Sequence, residues 1–163
     1  MKVMVFHIGQ GRYALPLTSV LRVVPVAALK ALPGAPPYVR GLLDLHGEAL
    51  PVIDLSSLAG TPPDTVRYDT RILLVEVPAG GRRRRLGLKA ERVTGVASID
   101  SPLADAGVVA APWLGQVAAA AEGMLQLLDP DRLLAPDVER LLFGADAAGD
   151  ATAADDAGEP TWA

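Results

Sequence analysis

Glycine and proline interrupt this sequence about every eight to twelve residues, and this spacing constrains the fold more than any other feature. The 16 glycines and 14 prolines leave only short stretches between them, rich in leucine and β-branched residues. Aromatic residues make up just 4% of the chain, so the core must consist mainly of Val, Leu, Ile and Ala. The pattern is typical of an all-β sandwich or barrel with few helices.

The stretches between these interruptions form two groups of predicted strands. The first group comprises residues 3–8, 13–17, 21–26, 42–45 and 49–53, and the second comprises residues 71–77, 85–88, 92–96, 116–120 and 124–128. Residues 33–37, Pro-Gly-Ala-Pro-Pro, cannot continue a strand ladder because proline lacks the N–H donor, so they are predicted to be a connector. Residues 100–115 are expected to form a long loop.

Helical structure is predicted at two places only. Asp54 can cap a single turn that contains Leu55 and Leu58. After a start at residues 129–130 and an interruption at Pro136, a terminal helix is expected over residues 137–143, ended by Gly144. The sequence therefore predicts one domain over residues 1–143. Residues 144–163 hold five acidic residues and no Lys or Arg, and this Ala- and Asp-rich acidic tail is expected to be disordered.

Composition excludes several classes of protein. The chain has no cysteine, and none of its apolar runs approaches the roughly 20 residues of a membrane helix. We therefore expect a cytoplasmic protein without direct membrane insertion. Subtracting the five tail acids from 19 leaves 14 acidic against 15 basic residues in the body, a balance that gives no general argument for nucleic-acid binding.

Candidate catalytic groups are few. Asp44, His46 and Glu48 alternate, so on an extended strand they would share a face and could transfer protons or bind a metal. A polar hairpin tip at His46-Gly47 requires no such assumption and is the favoured interpretation. The run Gly9-Gln10-Gly11 has no third glycine at dinucleotide-loop spacing and is predicted to be a hairpin turn. The sequence predicts no catalysis, no cofactor and no metal.

Four consecutive arginines, residues 82–85, are the strongest local charge. Such a run can bind phosphate, and an RNA-binding SH3-like barrel is accordingly a low-ranking alternative. No aromatic side chains alternate with these arginines to stack on bases. We therefore predict a solvated hairpin arm and no nucleic-acid partner.

Several segments match a known family in order. They are residues 6–9, 13–17, 20–24 and 32–41, then Gly-Leu-Leu-Asp-Leu-His-Gly-Glu-Ala-Leu-Pro-Val-Ile-Asp-Leu at residues 41–55, and finally residues 86–88, 93–96 and 124–134. Over residues 3–143 the chain resembles the CheW family, the coupling proteins of bacterial chemosensory arrays. The run at residues 41–55 is the most specific part of the resemblance.

The resemblance implies a fold, a function and two partners. The fold would be two intertwined, five-stranded SH3-like β-barrel subdomains that share an apolar seam, with a short C-terminal helix. The function would be a non-catalytic scaffold in signal transduction. One partner would be the cytoplasmic tip of a chemoreceptor, held in the groove between the barrels. The other would be the regulatory domain of a CheA-type histidine kinase, bound through the barrel ends.

Three residues stand where the family has receptor-groove residues: Val20, Gly41 and His46. His46 replaces the usual Arg, whose guanidinium is always charged and offers a planar fork that an imidazole lacks. Asp44 replaces the usual Asn beside it. These departures indicate a divergent coupling protein, for which an auxiliary system such as a Wsp-type array is one origin. An accessory adaptor that does not support kinase activation is the alternative.

Overall fold

The computed structural model describes residues 1–100, 103–104, 111–120 and 122–144. The strands of this part are β1 (Lys2–Ile8), β2 (Gly11–Pro16), β3 (Arg22–Pro25), β4 (Val39–Leu45), β5 (Glu48–Asp54), β6 (Arg71–Ala79), β7 (Arg82–Ser98), β8 (Leu114–Ala120) and β9 (Gly123–Leu128). One helical turn, α1 (Leu55–Leu58), follows β5, and 3-10 helices cover Leu17–Ser19 and Pro130–Arg132. A final helix, α2, covers residues 136–144.

Strand β7 is shared by two five-stranded halves. Its first part pairs with β6 along residues 82–90 and with β5 at residues 87–89, whereas its second part, residues 91–98, pairs with β1. The middle half therefore has the strand order β4-β5-β7-β6-β3, and the terminal half has the order β7-β1-β2-β9-β8. This arrangement confirms the predicted fold class of two five-stranded subdomains.

Three details differ from the prediction. The strands expected at residues 85–88 and 92–96 are one continuous strand, β7. Strands β1 and β2 belong with the second predicted group instead of the first, because they pair with β7 and β9. Within the described residues, no hydrogen-bonded pairing joins the outer strands of either half, so the halves are curved sheets and not closed barrels.

The core consists of three apolar clusters. Each half has its own, formed in the terminal half by Val3, Val5, Ala14, Ile99, Ala118, Leu125 and Leu127, and in the middle half by Val24, Leu43, Leu50, Val52, Ile72 and Leu74. The largest cluster draws on both halves and includes Phe6, Leu15, Ile53, Leu73, Leu86, Leu88, Trp113 and Leu128. This central cluster is the predicted apolar seam, and its burial from water is what holds the halves together.

Asp54 caps helix α1 as the sequence predicts. Its Oδ1 accepts hydrogen bonds from the backbone N–H groups of Ser56 at 2.9 Å and Ser57 at 3.3 Å. The carboxylate is 1% exposed, and its Oδ2 lies 3.5 Å from Nζ of Lys89 and 4.0 Å from Nε of Arg40. Since a buried charge is costly unless it is paired, Lys89 is as important to this cap as the backbone donors.

The predicted terminal helix is present, with different limits. Pro136 is its first residue instead of an interruption, which suits proline because the first N–H of a helix has no intrahelical partner. Gly144, the predicted stop, is still helical. Val138 joins the central cluster and anchors the helix. Residues 145–163, expected to be a disordered tail, lie outside the described residues.

Much of the predicted loop over residues 100–115 also lies outside the described residues. The described part places Ala104 in an antiparallel bridge with Val117, and it starts β8 at Leu114, slightly before the predicted strand. Among the described residues, no helix has the length and apolar character needed to cross a membrane.

Candidate functional site

The β4–β5 hairpin ends in a two-residue turn at His46 and Gly47. Both residues have positive φ, 52° and 89°, as a type I′ turn requires. The backbone N–H of Gly47 donates to Oδ1 of Asp44 at 2.9 Å and fixes the turn further. The predicted hairpin tip is confirmed, and it leaves His46 exposed at its end.

Asp44, His46 and Glu48 do not form a common site. The carboxylate of Asp44 accepts from the turn, and Oε1 of Glu48 accepts from Nη1 of Arg85 at 2.8 Å on another strand. No group of three His, Cys, Asp or Glu side chains with metal-binding geometry exists among the residues that the structure describes. The geometry supports the polar hairpin tip over the proton-transfer or metal alternative.

Gly41 lies at a crossing of two backbone segments. Leu42 exchanges backbone hydrogen bonds with Lys30 at 2.8 and 2.9 Å, and the register of β4 shifts here against β5. Gly41 has φ +135°, and a Cβ atom at this position would overlap the carbonyl oxygen of Lys30. Glycine is required here by the chain's own backbone, and Gly41 is buried under the Lys30 segment.

Val20 precedes β3 at the other side of the middle half. It closes the first 3-10 helix by donating its N–H to the Leu17 carbonyl at 3.1 Å, and its half-buried side chain packs against the central cluster. The next residue, Leu21, donates to the Leu74 carbonyl at 2.8 Å and is 50% exposed. Val20 and Leu21 thus form an apolar corner at the entry to β3.

The three predicted site residues do not meet in one pocket. Within the described residues, no hydrogen bond or ion pair joins any two of Val20, Gly41 and His46. The hairpin places His46 five residues beyond Gly41 along β4, about 16 Å at the usual strand rise. Gly41 on β4 and Arg22 at the start of β3 lie on the two outer strands of the middle half. The residues paired with one another from strand to strand between them are Gly41, Val52, Gly87, Leu74 and Arg22. The surface is therefore extended.

The arginines of residues 82–85 make more contacts within the protein than the predicted solvated hairpin arm implies. Arg83 donates to Oδ1 of Asp131 at 3.1 Å and to the Glu76 carbonyl at 3.0 Å. The guanidinium of Arg84 lies 6.0 Å from the ring centre of Phe143, within cation–π range. Glu76 lies on the other strand of the same hairpin, whereas Asp131 and Phe143 come from distant parts of the chain, so no local pattern in the sequence identifies them.

The same arginines line a cleft of about 500 Å³, which we call the arginine cleft. Its walls come from the β4–β5 hairpin, from β6 and β7, and from the end of α2. The lining residues are Leu42, Glu48, Ala49, Leu50, Pro51, Glu76, Arg83, Arg84, Arg85, Leu142 and Phe143. The cleft therefore combines three guanidinium groups with two carboxylates, those of Glu48 and Glu76, and with apolar side chains.

Tyr38 and the ion pair of Asp64 with Arg67 have shifted pKa values. Burial raises the pKa of Tyr38 above its ordinary value of 10.0, and the negative charge of Asp137 raises it further. In the loop before β6, the side-chain hydrogen bond from Arg67 lowers the pKa of Asp64. The first shift couples the entry to β4 with the start of α2.

The structure has two curved five-stranded halves on a shared seam. Partners of such a fold bind at its grooves and strand edges, so the fold defines a small all-β interaction module. The match to a known family is direct. Residues 2–137 match the family model described as a CheW-like domain, and the chain belongs to this family.

Several curated relatives share parts of the sequence. Chemotaxis protein CheW of Helicobacter pylori is 34% identical over 70 residues, 43% of this chain and 42% of that protein. Chemotaxis protein CheW of Bacillus subtilis is 31% identical over 74 residues, 45% and 47% of the two chains. Protein PilI of Pseudomonas aeruginosa is 31% identical over 71 residues, which are 44% of this chain and 40% of that protein. The chain spans about half the length of the curated relatives it matches.

The fold also matches a solved structure. The scaffolding protein TtCheW from Thermoanaerobacter tengcongensis superposes with a TM-score of 0.75 and 25% sequence identity. The match covers 84% of this chain and 89% of TtCheW.

Proposed function

We propose that this chain is a non-catalytic coupling protein that links chemoreceptors to a CheA-type histidine kinase at cytoplasmic receptor arrays. The observation that carries the proposal is the match of residues 2–137 to the CheW-like domain family. It is supported by relatives named as chemotaxis proteins and by the similarity to a protein described as a scaffold.

The receptor tip would bind in the groove between the two halves, at the site that Val20, Gly41 and His46 mark. Val20 would supply apolar contact, and His46 would contact the receptor from the hairpin tip. Gly41 is buried beneath the Lys30 backbone, so its part would be to hold the segment of Lys30 against β4. Apolar burial contributes about 25 cal/mol per Å², offset by association costs, so single contacts of this size give roughly micromolar dissociation constants. Stable arrays would then depend on many such contacts.

Val20→Lys tests the receptor surface. A lysine at this apolar corner is expected to weaken receptor binding about tenfold or more, because a charge must be desolvated on docking. Val96→Lys is the matched control, since Val96 is 52% exposed on β7 in the terminal half. Binding is measured by titration with the receptor's cytoplasmic fragment, and circular dichroism verifies folding. A folded Val20→Lys variant with unchanged affinity would contradict the assignment.

The accessory-adaptor alternative draws support from His46 and Asp44, which depart from the family's Arg and Asn. Reconstitution separates the two functions. The purified chain is combined with receptor and kinase from its own cell, identified by co-purification, and kinase activity is measured. Stimulated kinase activity supports coupling, whereas binding to receptor without stimulation supports the accessory function.

A further inference from the structure

The arginine cleft lies where the chain leaves the described structure. Leu142 and Phe143 line the cleft, and the described part of α2 ends at the next residue, Gly144. Beyond this point the sequence holds Asp146, Asp150, Asp155, Asp156 and Glu159, with no Lys or Arg. An acidic segment therefore begins at the rim of a cleft whose lining contains three arginines and two glutamates, an excess of one positive charge.

The cleft has unused hydrogen-bonding capacity for carboxylates. A guanidinium has five N–H donors. Within the described residues, Arg85 uses one donor on Glu48, and Arg83 uses two, on Asp131 and the Glu76 carbonyl. Nε of Arg83 also lies 4.0 Å from Oε1 of Glu76. Both side chains are about half exposed, 46% for Arg85 and 50% for Arg83. Further carboxylates can approach without displacing these partners.

We propose that the acidic segment, residues 146–159, binds in the arginine cleft of its own chain. The tether makes this contact favourable. Eight residues of a chain without fixed structure span about 16 Å on average, which would give carboxylates attached beyond Gly144 a local concentration on the order of millimolar at the cleft. Even weak charge pairing is then sufficient, and the contact requires no fixed structure in the segment.

This contact makes the cleft a self-occupied site. Another acidic peptide can enter only by competing with the tethered segment. Because the arginines are half exposed, the contact is screened by salt, with a Debye length of about 10 Å at 0.1 M and about 3 Å at 1 M. Occupancy therefore falls as ionic strength rises. The inference is independent of the proposed coupling function.

The absence of cysteine from the chain permits a site-specific test. Ala154→Cys in the full chain carries a nitroxide label, and paramagnetic broadening of backbone amide resonances is measured by NMR at about 0.05 M and about 1 M salt. We expect broadening at low salt for amides lining the cleft, such as those of Leu50 and Arg84. This broadening should fall at least about twofold at high salt.

Matched variants separate charge pairing from the tether alone. In one, the five tail acids become Asn or Gln at unchanged chain length, and cleft broadening is expected to fall at least about twofold. The double change Arg83→Gln and Arg85→Gln should act similarly. Arg82→Gln, next to the cleft but outside its lining, should have a smaller effect. Folding of each is verified from unchanged resonances of the terminal half.

Two results would overturn the proposal. Broadening that is equal in the labelled chain and in its charge-neutral tail variant would show that the tether alone brings the segment near. Broadening that rises with protein concentration would show that the segment binds a second molecule instead of its own cleft.

Discussion

Gly41 occupies backbone that other residues adopt only with strain, since its φ is +135° and the carbonyl of Lys30 fills the space of a side chain. Gly41→Ala is expected to lower the free energy of unfolding by about 2–4 kcal/mol. Gly47→Ala is the control, because Gly47 also has positive φ but no atom near an added Cβ. It should cost only about 1–2 kcal/mol. If urea unfolding gave equal losses of unfolding free energy for the two variants, the contact with the Lys30 carbonyl would not be the cause of the Gly41→Ala effect.

His46 is a non-glycine residue with positive φ, at a position where Asn-Gly is the preferred pair. His46→Asn is expected to raise the free energy of unfolding by about 0.5 kcal/mol, whereas His46→Val should lower it by about 1–2 kcal/mol because a β-branched residue is strained there. Thermal unfolding of both variants measures these changes in stability. An Asn variant less stable than the Val variant would be inconsistent with the turn geometry.

Local residue chemistry was predictable where it depends on sequence neighbours. The Asp54 cap and the His46-Gly47 turn follow from side chains within three residues, and both are present. The pairing of Asp54 with Lys89 depends on the parallel register of β5 and β7. No pattern along the chain reveals that register, which is why this contact was missed.

At the scale of elements, β7 shows why a strand can be divided wrongly. Charged Lys89 and Glu91 interrupt the apolar pattern and suggest a break. In the structure both are satisfied, Lys89 by Asp54 and Glu91 by the backbone N–H of Asp64 at 2.8 Å. Arg92, with φ 48°, provides the irregularity at which the strand passes between the halves.

The contact between the entry to β4 and helix α2 predicts a pH dependence. Burial and Asp137 raise the pKa of Tyr38, so the native state keeps a proton that the unfolded state loses near pH 10. Stability should therefore fall as pH rises from that value towards the higher native pKa. Tyr38→Phe is expected to remove part of this alkaline loss.

The measurement is urea unfolding at a series of pH values from about 8 to 11. Tyr68→Phe is the control, because Tyr68 is 89% exposed and lies in the loop before β6. If the free energy of unfolding falls equally with rising pH in Tyr38→Phe and in the unmodified chain, Tyr38 does not cause the alkaline loss of stability.

For the whole molecule, the sequence predicted the all-β class, the two five-stranded groups and the shared seam. It did not predict which strands belong together. The terminal half depends on the pairing of Tyr13 with Gln126 and of Val3 with Ala97, contacts between distant segments. Turn chemistry determines only neighbouring strands, so these particular pairings were not accessible, although the family resemblance implied intertwined subdomains. The extended surface of Val20, Gly41 and His46 remains a prediction from the family resemblance.

The shared strand and seam predict a single cooperative unfolding transition. Leu125→Ala in the terminal half and Leu50→Ala in the middle half remove buried side chains from separate clusters. Each is expected to lower the free energy of unfolding by about 2–5 kcal/mol. Far-UV and near-UV circular dichroism should give one coincident transition for both variants. Two resolved transitions for either variant would show independent halves.

The interleaved connectivity also sets an order of events during synthesis. The middle half is complete once the first part of β7 has left the ribosome, whereas β2 must wait for β9, which ends at Leu128. At about 5–20 residues per second, the interval is roughly 2–8 s. During it the outer edge of β2 is unpaired and can template aggregation. The first hairpin to be made is therefore the last to acquire all its neighbours.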